Sequence, residues 1–282
     1  MISAHRGKFP LRILCKALEV SESGFYARQT RPQSQRSKEN EVLLQEMRVL
    51  HQKTRRSYGS PRMTQELVES GLQCSRSRIE RLMPQNGIAA KPRKKFVITT
   101  RAHPDSAVAK NLLDRNFSPQ GADQAWVSDI TFLRTLSGWL YLAVTLDLYS
   151  RRVVGWATSS KIDSSLVIRA LQMAIDQRNP VPGLLHHSDQ GSQYTSSSFQ
   201  KVLEENTMLC SMSRRGNCWD NSVAESFFGS LKVEWLDDLY QNHETARRDI
   251  FEYIEVFYNR KRRHSTLNGL CPVVFEEVNE VA

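Results

Sequence analysis

Three short apolar runs, "AWVSDITFL", "WLYLAVTLDLYS" and "RRVVGWATS", constrain this chain more than any other feature. They lie between Ala125 and Ser159, are rich in β-branched and aromatic residues, and are parted only by Ser-Gly and Ser-Arg-Arg punctuation. Runs of that length with tight turns between them predict a three-strand meander. The text then changes period. "SSLVIRALQMAIDQR" has apolar residues at helical spacing, "GLLHHS" reads as a short strand, "SSSFQKVLEEN" as a helix, "MLCSMS" as a strand and "SVAESFFGSLKVEWL" as a long helix. The order βββαβαβα predicts an α/β fold: a mixed sheet with helices on both faces.

Ahead of the sheet the chain reads as all-helical. Residues 11–18 have helical spacing, and Ser21 is placed to cap a second short helix. A helix over roughly 39–53 follows. Ser60 then stands as a cap before Pro61 at the first helical position, Gly71 ends that helix, and Ser75 starts another that carries Arg76, Arg78 and Arg81. Two helices about a Gly-containing turn, the second rich in Arg, is a helix-turn-helix pattern whose second helix would contact DNA in the major groove. A small helical bundle with solvated arginines would read the same way. Pro84 is expected to stop the Arg-bearing helix near Met83. "KPRKK", with Lys94 and Lys95, opens a basic and polar linker that runs to about Pro119.

Charge supports that division. Residues 1–103 hold 21 Lys and Arg against 8 Asp and Glu, net +13, whereas the remainder is net −4. The first third reads as an electrostatic footprint for a polyanion, and the acidic remainder suits cations. The divisions expected are 1–35, a short helix-turn-helix-like segment; 36–100, a helical DNA-binding unit; 101–119, the linker; 120–238, the sheet domain; and 239–282, a helical basic tail that includes Arg260 to Arg263. The five cysteines form no Cys-x-x-Cys pair and read as reduced thiols. No signal-like N-terminus and no run of eighteen apolar residues appears, so a cytoplasmic, nucleoid-associated protein without a membrane partner is expected.

Three acids stand out. Asp129 lies within the first strand, flanked by apolar residues, where a carboxylate faces either solvent or a site because burying it unpaired is costly. Asp189 follows the fourth strand in "HHSDQGSQYTS"; taken alone it is also what a turn residue looks like. If that strand pairs beside the first, the two carboxylates occupy neighbouring strands. Glu225 opens the last long helix, with Lys232 two turns further on the same face. Ser222 and Glu225 also fit a capping box. Oxygen ligands drawn from three separate elements suit Mg²⁺ or Mn²⁺. Asp147 is a rival third acid, which would otherwise pair with Arg151 or Arg152. His186 and His187 point to opposite faces of a strand, one into the core and one toward the covering helix, and neither is needed as a ligand.

The spacing from Asp129 over 59 residues to Asp189, over 35 more to Glu225, then seven on to Lys232, resembles the DD(35)E signature of transposases of the IS3 family of bacterial insertion sequences. "WVSDITFL", "GWLYLAVTLDLYSRRVVGW", "HHSDQGSQY", "SMSRRGNCWDNSVAESFFGSLK" and "FEYIEVFYNRKRRHSTLNGLCP" are similar to successive blocks of that family's second reading frame product, and "YGSPRMTQEL" with "RIERLM" resembles its N-terminal helical region. The resemblance spans nearly the whole chain. It implies a ribonuclease H-like catalytic core shared with retroviral integrases, with Asp129, Asp189 and Glu225 as catalytic metal ligands for two Mg²⁺ or Mn²⁺ ions. It implies cleavage of insertion-sequence ends and their joining to target DNA, without a covalent enzyme intermediate. Lys232, Gln193 and Tyr194 would contact DNA beside the site. Its partners would be double-stranded DNA, further copies of the chain as a homo-oligomer on DNA, and the upstream reading frame product as a frameshift fusion. Gln190 stands where the family usually has Arg. A non-catalytic DNA-binding regulator, and a nuclease for RNA–DNA hybrid, are the competing functions.

Overall fold

The structure, a computed structural model, describes residues 2–5, 7–92, 109–214 and 218–280. Its N-terminal part is helical: α1 (Ile2–His5), α2 (Leu11–Ala17), α3 (Glu22–Thr30), α4 (Gln35–Lys53), α5 (Ser60–Glu69) and α6 (Arg76–Gln85). Helix starts are chemically marked. Ser21, Ser34 and Ser75 each accept a backbone N–H from three residues on, which satisfies one of the donors left open at a helix start. Two boundaries depart from expectation. Gly59, not Ser60, is the cap of α5, because Ser60 is already helical and its hydroxyl goes to Glu80 instead. Helix α6 continues past Met83 to Gln85 with Pro84 inside its last turn. The proline ring removes only one N–H there, and Asn86 and Ile88 both donate back to the Met83 carbonyl to close the end.

The sheet follows the expected order. β1 (Ala125–Thr135), β2 (Gly138–Asp147) and β3 (Val153–Ser159) form the meander; α7 (Ser164–Arg178), β4 (Leu185–Ser188), α8 (Ser197–Glu205), β5 (Leu209–Met212) and α9 (Ser222–Glu234) alternate after it. The strands lie in the order β3-β2-β1-β4-β5. β4 runs parallel to both β1 and β5, with Val127 opposite His187. Helices cover both faces. Trp126, Ala143 and Val154 pack under α7 and α8, while Val127, Leu142 and Val144 pack against Phe227, Phe228 and Leu231 of α9. Gly155 fixes the spacing on the first face: a Cβ there would sit 2.1 Å from the Ala170 carbonyl, so β3 and α7 meet backbone to backbone.

After α9 come α10 (His243–Phe251), a π-helical turn over Glu252–Tyr258 and α11 (Pro272–Glu280). Of the basic run in the tail, Arg260 and Lys261 are exposed, whereas Arg262 and Arg263 turn inward. Arg262 is buried and clamps Glu234 of α9 at 2.6 and 2.7 Å, and Arg263 is buried against Glu66, at 2.6 Å, and Glu69, both of α5. Arg55 adds bonds to Asp249 and Glu252 and lies 4.2 Å over the Trp235 ring. Tail and helical third are thus latched to the sheet domain through ion pairs and stacked rings. The described part of the expected linker is packed as well: Leu113 is buried, and Asn111 and Arg115 bond Asp220.

Candidate active site

The parallel pairing of β4 with β1 brings two of the three acids together. Asp129 lies two residues beyond Val127 and Asp189 two beyond its partner His187, so the backbones deliver both to one level of the sheet. The β4 strand is short and ends at Ser188, where the chain turns away. Asp189 shapes that turn through Oδ1, which accepts from the Gly191 N–H at 2.9 Å. Gly191 is required by close approach: a Cβ there would stand 2.9 Å from Asp189 Oδ1 and 3.0 Å from Gln193 Oε1. Asp129 Oδ1 accepts from the Ile130 N–H at 2.7 Å. The second oxygen of each aspartate accepts no hydrogen bond from a described residue.

Glu225 enters from above on the first turn of α9. The capping box expected of it does not form, because Asn221 is the N-cap and makes no side-chain capping bond. Asn221 instead donates to the Ser128 carbonyl at 3.4 Å, which pins the start of α9 to β1 beside Asp129. Glu225 is left half-buried.

Electrostatics tie the group together. Burial, then the charges of Asp189 and Glu225, push the Asp129 carboxyl well above its ordinary 3.8, while the Ile130 N–H and the Lys232 ammonium pull the other way. Burial also raises Asp189 and Glu225. The charges of Asp189 and Glu225 thus favour a proton on Asp129. Such a set fits a hard divalent cation in charge and donor type. As placed, no three His, Cys, Asp or Glu side chains among the described residues stand close enough together to hold a metal ion. The fit is therefore one of chemistry and converging elements, with one oxygen of each aspartate already accepting a nearby backbone N–H.

The surrounding residues sort differently from the sequence expectation. Tyr194 is 1 % exposed and packs against the rings of His186 and Phe199, so it walls the site from behind and does not face a duplex. Its hydroxyl has no described partner, and burial together with Asp129 and Asp189 raises it well above 10. Gln193 is half-buried at the Asp189 turn. Gln190 donates to the Ser213 carbonyl at 2.8 Å, tying the loop after β4 to the end of β5. Asp147 is fully buried, accepts from Ser150 and the Asp123 N–H, and is raised to about 6; it builds the β2–β3 turn and makes no ion pair with Arg151 or Arg152. His186 and His187 are both buried, bonded at 2.8 Å to Ser128 and Ser211 on opposite faces. On α6, Arg76 pairs with Glu80 at the surface, Arg78 is turned inward to Asn40 and Glu39 of α4, and Arg81 is exposed. Lys94 and Lys95 lie outside the described residues. Sequence reading missed the Asp220 hub, where Arg214, Arg115 and Asn111 hold its carboxyl well below the usual range. A conspicuous Asp in "NCWDN" was the available signal.

Fold and carboxylates define a class: a ribonuclease H-like integrase core joined to a helix-turn-helix-like unit. Family models bear this out, one described as an integrase core domain over residues 119–218, a second of that description over 206–272, and an HTH-like domain over 38–96. The chain is 39 % identical over 286 residues to the transposase InsF for insertion sequence IS3A of Escherichia coli K12, covering 99 % of this chain and 98 % of that one. It is 40 % identical over 265 residues to a 31 kDa protein of insertion element IS600 from Shigella sonnei, covering 94 % and 97 %. The chain belongs to the transposases of IS3-family insertion sequences. Among solved structures it is similar to the HTLV-2 integrase catalytic core in complex with magnesium, at 16 % identity and a TM-score of 0.42 over 56 % of this chain and 98 % of that one, and to a simian T-cell lymphotropic virus intasome chain, at 16 % identity and a TM-score of 0.46 over 80 % and 73 %. No helix among the described residues is long and apolar enough to cross a membrane.

Proposed function

We propose that the chain cleaves the ends of an insertion sequence and joins their 3′ ends to duplex DNA by phosphoryl transfer, with Asp129, Asp189 and Glu225 as its catalytic ligands. The observation that carries this reading is the convergence of carboxylates from β1, the loop after β4, and α9, with Asp189 and Glu225 both raising the Asp129 carboxyl. A pair of Mg²⁺ or Mn²⁺ ions bound there would polarise the phosphate and ease ionisation of the attacking hydroxyl. The residues supply the rest. The two aspartates are pre-set by backbone N–H bonds, so little rotamer freedom is left to lose on binding. Tyr194, Phe199 and Trp126 exclude water from behind the site. Lys232, close enough to pull on Asp129, offers a cation to a DNA phosphate. Arg76 and Arg81, with Lys94 and Lys95, would bind duplex DNA outside the site. Assembly as a homo-oligomer on paired ends, fusion to an upstream reading frame product, and the 36–100 and 120–238 domain limits belong to the same reading.

A DNA-binding regulator without catalysis is the second reading, favoured by the separation of the three acids as placed. One experiment divides them: Mn²⁺-dependent nicking and joining of labelled duplex ends by the purified chain beside Asp129→Asn, Asp189→Asn and Glu225→Gln. Activity in the parent that falls on the order of 10³-fold or more in each variant, with DNA binding retained, is the expected result. Equal activity in parent and variants overturns the assignment, and binding without activity in every protein favours the regulator.

A further inference from the structure

The β1–β2 hairpin exposes aromatic surface that the rest of the sheet conceals. Trp126 at the other end of β1 is fully buried, whereas Phe132 is 36 % exposed, Trp139 47 % and Leu136, at the tip, 64 %. Pairing places Trp139 directly across from Arg134, so Phe132, Arg134 and Trp139 stand on one face. The Phe132 and Trp139 rings meet edge to face, 5.1 Å between centroids. The Lys232 ammonium lies 5.4 Å from the centroid of Phe132 and is also close enough to pull on Asp129. Asp129 and Phe132 alternate to opposite faces of β1, and the Lys232 side chain comes near both.

We propose that Phe132 and Trp139, flanked by Arg134 and Lys232, are a stacking platform for unpaired nucleobases of single-stranded DNA. Every base has a π face that a tryptophan ring accepts, and neighbouring cations neutralise the phosphates of the same strand, which is the chemistry by which single strands are held without reading their sequence. A closed duplex hides its base faces. The platform therefore engages DNA where the strands have opened, and Lys232, which comes near both Phe132 and Asp129, links it to the site of the function proposed above, on which that role, though not the binding, rests. Exposed apolar side chains at a loop tip beside a site are otherwise an unrewarded cost in water.

The test uses the full chain in the presence of a chelator, so that no chemistry occurs, titrated with a single-stranded oligodeoxythymidylate and separately with a duplex of equal length. Oligothymidylate should quench tryptophan emission in the parent, and Trp139→Phe should lose most of that quenching while keeping its affinity within about threefold. Trp139→Ala should weaken single-strand binding on the order of tenfold and duplex binding far less. Parental single-strand affinity in Trp139→Ala overturns the proposal. So does an equal loss for single strand and duplex, or a shift from dimer to monomer in sedimentation with oligonucleotide affinity unchanged, which would make the hairpin a contact between copies. Because no divalent ion is present, the outcome is independent of whether Asp129→Asn abolishes nicking, and the two readings fail separately.

Discussion

At the scale of single residues, the buried ionisable groups set a pH dependence whose sign can be worked out. His264 is buried edge-on against the Tyr258 ring, and burial together with the charges of Arg262, Arg62 and Arg151 lowers it to about 2. In the unfolded chain it titrates near 6.5. A folded value depressed below the unfolded one contributes stability that is whole above pH 6.5 and is lost as pH falls from there toward 2, at about 1.4 kcal/mol per pH unit. His186 and His187, lowered to about 3 and about 4, add to the same slope. The raised carboxylates of Asp129, Asp189 and Glu225 oppose it, since a folded value above the unfolded one costs stability at neutral pH and is relieved on acidification. A difference measurement separates the two. The gap in unfolding free energy between the parent and His264→Phe, which keeps the ring, should move by about 2 kcal/mol against the parent between pH 7 and pH 5 in urea denaturation. A gap indifferent to pH would sink the assignment.

At the scale of elements, the joints between helices, not the sheet, carry the most vulnerable electrostatics. Glu234 ends α9 nearly buried, taking two bonds from Arg262, one from Arg62 at 3.2 Å and one from the Tyr253 hydroxyl at 3.3 Å. Removing one member leaves the other charged and uncompensated, so Arg262→Met should cost about 3–5 kcal/mol in thermal or urea unfolding, with a substantial part regained when Glu234→Gln is added. A single substitution within about 1 kcal/mol of the parent, or no recovery in the double variant, would contradict the clamp. Legibility in the sequence divides along the same line. The strands were readable because β-branched runs and Ser-Gly turns are local signals, and the nearness of Asp129 and Asp189 was readable because an α crossover permits β4 beside β1, whereas Glu225 was readable only as an acid opening the last long helix. Arg262 and Arg263 were not, since a basic run looks solvated until the fold supplies Glu234, Glu66 and Glu69 from more than 25 residues away. Nor were Phe132 and Trp139, whose exposure follows from α7 and α8 covering the Trp126 end of that face and not the hairpin end. Helix ends slipped by a residue at Gly59 and Asn221, where neighbouring small polar residues compete for the cap.

At the scale of the molecule, the +13 of the first 103 residues overstates the charge available to DNA. Arg55 and Arg62 are spent on Asp249, Glu252 and Glu234, Lys91 donates to the Glu234 carbonyl, and Arg78 is turned into α4. Arg55, Arg62 and Lys91 hold the helical third against α9 and the tail, and Arg78 ties α6 to α4. Arg81, exposed on α6, makes no ion pair among the described residues, and Arg76 shares only Glu80 at the surface. Net charge governs long-range attraction, but only cations that meet phosphates release counterions, each contributing about −0.9 to the slope of log affinity against log salt. Two substitutions that remove the same formal charge should therefore behave differently. Arg81→Ala should make the salt slope of duplex binding shallower by about 1 with little change in unfolding temperature. Arg78→Ala should leave the slope nearly as it was and lower stability by about 1–2 kcal/mol, because Asn40 and Glu39 lose their partner. Equal slopes and equal melting in the two variants would mean that α6 does not face the phosphates, and duplex binding would have to be assigned to another surface of the molecule.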